Sequence, residues 1–363
     1  MRKPALSDKT GLLYRILMYK LARFFSLPSP LPVNLTVSLL YTCNSRCLTC
    51  NIWKKKGTPL SSEEYTKIFK NIGRGIMWVT FSGGEPFLRE DLAEISSNFY
   101  DLCGPSYINI PTNGLLYERI PPMVEEIGRR CSSSELIINI SLDHCGEEHD
   151  KIRQVTGNFE KTLKTYKALK ELTLSNLTVG IHTVISKYNV RDFESIYNNL
   201  ISLEPDSYIV EKAEEREELD TKRSDITPEI EDYKKAINFL LKEIKKKRFS
   251  GVSKLTRSFR RVYYELSKEI LIKKRQVIPC YAGLISGQIS PDGDVWPCCV
   301  RGDSIGNIRE ENYDFRKIWK GRKAGDIRKS IKRGECYCPL ANAAYTNILC
   351  HPVSMVKVLA SLL

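Results

Sequence analysis

Three cysteines, Cys43, Cys47 and Cys50, stand in a C-x3-C-x2-C run. Three thiolates so close in one loop can hold three irons of a cubane iron–sulfur cluster. No fourth cysteine is nearby, so one iron keeps a coordination position open to a small ligand. Electron-carrying [4Fe–4S] clusters use four cysteines. An open position turns a carrier into a reagent, by the logic that separates catalytic from structural zinc. A zinc knuckle with a distant fourth ligand would use the same spacing, and the triplet alone leaves that alternative open. Further on, Ser82-Gly83-Gly84-Glu85-Pro86 follows a β-rich run. Paired glycines at a strand end let the backbone approach a ligand closely. The carbonyls there and the Glu85 carboxylate can accept hydrogen bonds from a ligand ammonium group.

These residues need a scaffold, and the 363-residue chain alternates β-rich runs with helical stretches from Asn34 to about Val210. The strand candidates are Asn34–Leu40, Met77–Ser82, Tyr107–Pro111, Leu136–Leu142, Thr178–Ile185 and Ser207–Val210. Helices are expected over Ser61–Gly73, Glu90–Leu102, Glu118–Arg130, Phe159–Leu172 and Arg191–Leu203, the first announced by acidic residues after Ser61. Six strands alternating with helices predict an α/β fold with a parallel sheet, open or curled into a barrel. Chemistry in such sheets sits at the carboxyl ends of the strands, where both motifs fall.

Composition narrows the class. Hydrophobic residues at 42% and charged ones at 27% exclude disorder and a multispan membrane protein. No run of about 18 uninterrupted apolar residues exists, and Arg15, Lys20 and Arg23 interrupt the apolar stretch Leu12–Leu27. Twelve cysteines without a signal peptide or a small loop-rich domain are expected to be reduced and to bind metal in a cytoplasmic chain. The net charge of +13 is mostly local: Lys234–Arg275 holds fifteen Lys/Arg against three Glu. The expected division is an amphipathic arm over 1–33, the partial barrel over 34–225, a basic helical connector over 226–279 and a cysteine-rich unit over 280–363.

The cysteine loop after strand one, with Gly-Gly-Glu-Pro after strand two, resembles the radical S-adenosylmethionine (SAM) enzymes. The resemblance covers about residues 34–210 and implies a partial (β/α)6 barrel. It implies that Cys43, Cys47 and Cys50 ligate a [4Fe–4S] cluster whose open iron takes the methionine amine and carboxylate of SAM. Gly83, Gly84 and Glu85 would sit against that amine. Thr112-Asn113-Gly114 looks like the family's Thr-Asn-Gly turn. Ser141-Leu142-Asp143 is similar to its Ser-Leu-Asp signature, and Glu148 to Arg153 to the segment that follows; Ser141 and Arg153 become candidates for the SAM carboxylate and ribose. The chain departs from the pattern at Thr49, where an aromatic residue is usual, and at His144 and Cys145, which precede Gly146. Tyr208 and Glu211, at the end of strand six, are the candidates for acid/base work.

A second set of cysteines begins with Cys280-x12-Gly293-x4-Cys298, enclosing a hairpin pattern at Ile289–Trp296, and continues with Cys336, Cys338 and Cys350. It resembles the SPASM or twitch auxiliary-cluster extensions of the same family, giving a small cysteine-rich auxiliary-cluster domain after the barrel. The resemblance implies one auxiliary [4Fe–4S] cluster on Cys280, Cys298, Cys336 and Cys338, with Cys350 in reserve and Cys299 as a neighbour; zinc suits four cysteines equally well. Cys103 and Cys131 read as core thiols.

At the N-terminus, Leu13, Leu17, Leu21 and Phe24 share one helical face, with Arg15, Lys20 and Arg23 opposite, the pattern of a helix lying in a membrane interface. The C-terminal Val353–Leu363 is also apolar. With the basic segment, these termini point to peripheral attachment at an anionic membrane surface and to a membrane lipid, through its hydrocarbon tail, as the substrate, modified or cross-linked by C–C bond formation. The other readings are a peptide maturase and a non-catalytic iron–sulfur carrier. A small-molecule or lipid substrate and a reductant such as ferredoxin or flavodoxin are the expected partners. Nucleic acid is not expected, because the cations lack aromatic interleaving.

Overall fold

The computed structural model describes residues 6–27, 29–246 and 251–362. Arg2, Lys3 and the 247–250 stretch of the basic connector lie outside the described residues. After α1 (Leu6–Phe25), the β-rich runs become six parallel strands: β1 (Asn34–Ser38), β2 (Trp78–Ser82), β3 (Tyr107–Thr112), β4 (Glu135–Ser141), β5 (Leu177–Ile185) and β6 (Ser207–Lys212). Between them run α2 (Ser62–Ile72), α3 (Leu92–Cys103), α4 (Ile120–Arg130), α5 (Gly146–Arg153), α6 (Asn158–Lys170) and α7 (Phe193–Ile201). The α2 start is fixed by a capping box: the Ser61 hydroxyl accepts from the Glu64 N–H, and the Glu64 carboxylate accepts from the Ser61 N–H. The sequence reading assigned no helix to α5, which carries Arg153.

Period-two alternation decides the faces of the sheet. Leu35, Val37, Val79, Phe81, Ile108 and Ile110 are fully buried in the main hydrophobic core. Their alternates, Thr36, Thr80, Asn109, Asn139, His182 and Glu211, share the opposite, inner face through the strand register. Strands buried on both sides of a parallel sheet normally read as continuous hydrophobic runs. This inner face is polar instead.

The sheet continues past residue 280. β7 (Ser286–Ile289) pairs parallel with β1, and β8 (Asp294–Trp296) and β9 (Gly306–Asn307) follow antiparallel. The nine-strand order is β6-β5-β4-β3-β2-β1-β7-β8-β9. The hairpin turns where Pro-Asp-Gly placed it, with Gly293 at φ +90°. α8 (Ile230–Lys246) and α9 (Gly251–Lys273) form the basic connector. α9 seals the open edge of β6: the Tyr264 hydroxyl takes the Val210 N–H, and Arg260 donates to the Tyr208 carbonyl and the Ser207 hydroxyl. α10 (Phe315–Lys320), α11 (Arg322–Arg333), α12 (Ala341–Cys350) and α13 (Pro352–Ala360) complete the chain. Among the described residues, no helix is long and apolar enough to cross a membrane.

Candidate active site

The loop leaving β1 carries Cys43, Cys47 and Cys50 and is pinned from two sides. Arg46 N–H donates to the Arg153 carbonyl at 3.2 Å and Leu48 N–H to the Ile152 carbonyl at 2.9 Å, fixing the loop to the end of α5. On the other side, Gly84 N–H donates to Leu40 and Glu85 N–H to Thr42. A Cβ at Gly84 would fall 2.0 Å from the Thr42 carbonyl oxygen, and one at Gly83 2.4 Å from that of Leu40. The two glycines therefore let the second strand's turn press against the cysteine loop itself.

Two side-chain donors reach the thiol group. Asn113 Nδ2 lies 3.8 Å from Cys43 Sγ, and Arg153 Nη1 lies 3.6 Å from Cys47 Sγ. Arg153 also pairs with Asp143 at 2.7 Å, and Asp143 accepts from the Val184 N–H. Arg153 Nε is buried without a hydrogen-bond partner, an orphaned donor that calls for an acceptor. Burial pushes the Cys43 thiol up to about 11 and that of Cys50 to about 12, with repulsion from Cys47 adding to both. Thiols sharing a dry pocket ionise only against compensating cations, so the donor set suits an iron cluster. Ser141 is half-buried at the end of β4, on the inner face. His149, behind Asp143, is held down at about 4 by burial and by the Arg153 charge. It is therefore neutral, with Nδ1 accepting from the Asp143 N–H and Nε2 donating to Asn158.

Glu85 serves the protein interior. Its carboxylate accepts from Asn113 N–H at 2.8 Å, from the Thr112 hydroxyl at 2.8 Å and from Phe87 N–H at 3.2 Å. Burial raises its pKa to about 7 despite those donors. Between about pH 4.5 and pH 7 the folded chain then holds a proton that the unfolded chain has released, so this contribution to stability falls as pH rises through that window. The melting temperature of wild type relative to Glu85→Gln should decline from pH 5 to pH 7.5; a flat difference would refute this.

Tyr208 and Glu211 cannot act together, which corrects the expectation drawn for them. Three residues apart on one strand, they point to opposite faces. Tyr208 is buried edge-on against Tyr197 of α7, its hydroxyl on Thr183, in the outer layer. Glu211 does face inward, and the structure adds a residue that sequence spacing missed. His182 Nε2 lies 3.9 Å from Glu211 Oε1 and is otherwise buried without a hydrogen-bond partner. The pairing of β5 with β6 creates this contact, and nothing local to His182 announces it. A hydrogen-bonded row spans the same face: Trp78 to Thr80 at 3.1 Å, Asn109 to Thr80 at 3.3 Å, and Asn139 to Asn109 at 2.7 Å. Asn139 Oδ1 and Asn34 Oδ1 are left unpartnered.

The second thiol group assembles from the turn-rich end of the chain. Cys280, Cys298, Cys336 and Cys338 feel one another's charge, whereas Cys350 packs apart with Tyr19, Tyr281 and Leu284. The Cys298 thiol is lowered to about 7 by the adjoining Cys299 thiol and by the Val300 and Arg301 N–H groups. Arg216, half-buried after β6, bears electrostatically on both Cys50 and Cys299. Cys103 and Cys131 are core thiols.

Comparison with known proteins matches this geometry. A family model described as the Radical SAM superfamily matches residues 37–200, and one described as an iron–sulfur cluster-binding domain, SPASM, matches residues 280–339. The Fe-coproporphyrin III synthase of Methanosarcina barkeri is 30% identical over 44% of this chain, which spans only 38% of that protein. The AdoMet-dependent heme synthase of the same organism is 26% identical over 77% of this chain and 79% of its own. SuiB of Streptococcus suis, solved with its precursor peptide SuiA, superposes with a TM-score of 0.61 at 17% identity, over 97% of this chain and 80% of that one. Among the described residues no three metal-binding side chains close on a single ion. SAM and a [4Fe–4S] cluster are the cofactors of the first domain, and auxiliary iron–sulfur chemistry belongs to the second. The chain is a member of the radical SAM superfamily with a SPASM iron–sulfur domain built onto the edge of its barrel sheet.

Proposed function

We propose that this chain cleaves SAM reductively and directs the resulting radical at a C–H bond of a polar substrate held on the inner face of the barrel. The loaded cofactors supply the 5′-deoxyadenosyl radical at the expense of one electron from a ferredoxin- or flavodoxin-type reductant. Cys43, Cys47 and Cys50 hold the first cluster. Arg153, kept charged by Asp143, and Ser141 meet the SAM carboxylate and ribose, and Asn113 braces the Cys43 end of the loop. Cys280, Cys298, Cys336 and Cys338 hold one auxiliary cluster. A cluster held there would supply an acceptor for the electron that the substrate radical must give up, whether the product is an oxidised or a C–C cross-linked one.

The polar inner face carries the substrate assignment. A hydrocarbon tail would strip the half-buried Asn109 and Glu211 of water and return no hydrogen bonds, at a cost of roughly 1–3 kcal/mol for each group. The tail expected from the apolar termini is therefore not the reading this face favours. The half-buried amide of Asn109 and carboxylate of Glu211 match peptide amides, and SuiB was solved with a peptide. The second reading is the polar headgroup of a membrane lipid, favoured by the exposed apolar face of α1. The test is anaerobic 5′-deoxyadenosine production with SAM and a strong reductant, stimulated by peptide or lipid fractions of cell extract. Glu211→Gln and His182→Asn should cut the stimulated rate about tenfold or more, well beyond any change in the unstimulated one. Stimulation by simple alkanes alone would overturn the polar assignment, and no 5′-deoxyadenosine at all would end the enzyme reading.

A further inference from the structure

The N-terminal helix is packed inside out. Helix α1 holds the protein through its cationic side: Arg15 donates to the carbonyls of Gly75 and Leu31 and to the Tyr19 hydroxyl, and Arg23 donates to the Cys280 carbonyl while lying over the Tyr281 ring. Tyr19 and Ala22 are buried beside them. The other side is apolar and open. Leu13 is 68% exposed, Leu17 54% and Phe24 71%, with Leu21 between them and Tyr14 and Phe25 flanking. An ordinary surface helix turns these two sides the other way. Large apolar strips left open in this manner mark contact surfaces.

We infer that α1 is an interfacial anchor that seats its Leu13–Leu17–Leu21–Phe24 strip in the acyl boundary of an anionic bilayer. Charge complementarity selects that occupant. Along the end of the strip lies α11, whose Lys332 donates to the Phe24 carbonyl at 2.7 Å. It carries six cations against the single carboxylate of Asp326, and Arg322, Lys323, Lys329 and Lys332 are exposed. On its buried side α1 packs Tyr19 and Ala22 with Cys350, the last residue before the α12–α13 junction, where burial and then the Lys20 and Lys357 charges lower the His351 pKa. α13 exposes Val353, Val356 and Leu359. Apolar side chains bordered by lysine and arginine match the layering of acyl chains beneath anionic headgroups. A second copy docking through the same face would bring these cations against their own equivalents. The strip lies in the membrane plane and does not cross it, since the 20-residue α1 is too charged and too weakly apolar to span.

This inference goes beyond the proposed chemistry and holds for either substrate. The test is sedimentation of the full chain, clusters loaded anaerobically, with phosphatidylcholine vesicles containing or lacking phosphatidylglycerol. Wild type should sediment with the anionic vesicles and be released by salt. L17E/F24E should weaken sedimentation at least about tenfold, with unchanged circular dichroism and SAM cleavage. K323E/K332E should lose about fivefold for each site and the preference for anionic lipid. Three results would overturn the inference: no sedimentation of wild type, equal sedimentation of L17E/F24E, or a wild-type dimer that L17E/F24E dissolves. Failure of SAM cleavage in wild type would instead strike the proposed chemistry and leave the anchor standing.

Discussion

Replacing Cys47 by alanine should reduce 5′-deoxyadenosine formation to background and lower bound iron from about eight to about four per chain. The loop that carries Cys47 is held by backbone bonds from Arg46 and Leu48 to α5 and by the packing of Gly84 on Thr42, none of which uses the thiol. The variant therefore keeps its fold, and its loss reports ligation alone. Cys280→Ala should remove the other four irons, again about half, yet leave measurable SAM cleavage, because its thiol belongs to the separate group around Cys298. Cys350→Ala should keep all the iron, since Cys350 packs away from that group. Iron analysis and product quantification decide the matter. Zinc in place of iron, or full SAM cleavage by Cys47→Ala, would defeat the assignment.

Asp143→Asn should be the most damaging single change away from the thiols. Asp143 and Arg153 form a buried pair at 2.7 Å, so the neutral amide leaves a guanidinium uncompensated. Breaking one side of such a pair costs about 3–5 kcal/mol, a fall in melting temperature of roughly 5–15 °C. Arg153 would also lose the partner that aims it at Cys47, so cluster loading should drop with stability. The double change Asp143→Leu/Arg153→Met separates these effects: it should recover much of the stability and none of the cluster loading or SAM cleavage. Recovery of both would show that Arg153 only fills space.

All six barrel strands and five of the helices between them were legible in the sequence, because alternation and cap chemistry are local. The cysteine loops were legible for the same reason, as thiol spacing along the chain carries much of the message. The failures are equally instructive. Tyr208 and Glu211 were both expected to serve from the end of strand six, although a strand sends residues three apart to opposite faces. His182 was passed over because its partner comes from the neighbouring strand. At Gly83 and Gly84 nothing in the sequence signalled that the space a side chain would fill is taken by the Leu40–Thr42 backbone. The amphipathic pattern of α1 was read from its periodicity, but which side faces the protein depended on the Gly75, Leu31 and Cys280 carbonyls. Those acceptors come from loops far apart in the chain.

The pairing of β1 with β7 sets a timetable for biogenesis. On the ribosome, β1 is finished about 250 residues before β7 exists to lie beside it, and distant pairings of this sort close slowly. Throughout that interval the strand that launches the first cysteine loop is bare along one side, open to misassembly with other nascent chains. Iron delivered too early would meet a half-built cradle. Metal insertion is thus best timed after release of the finished chain, and pulse-labelled ribosome-bound intermediates should carry little iron.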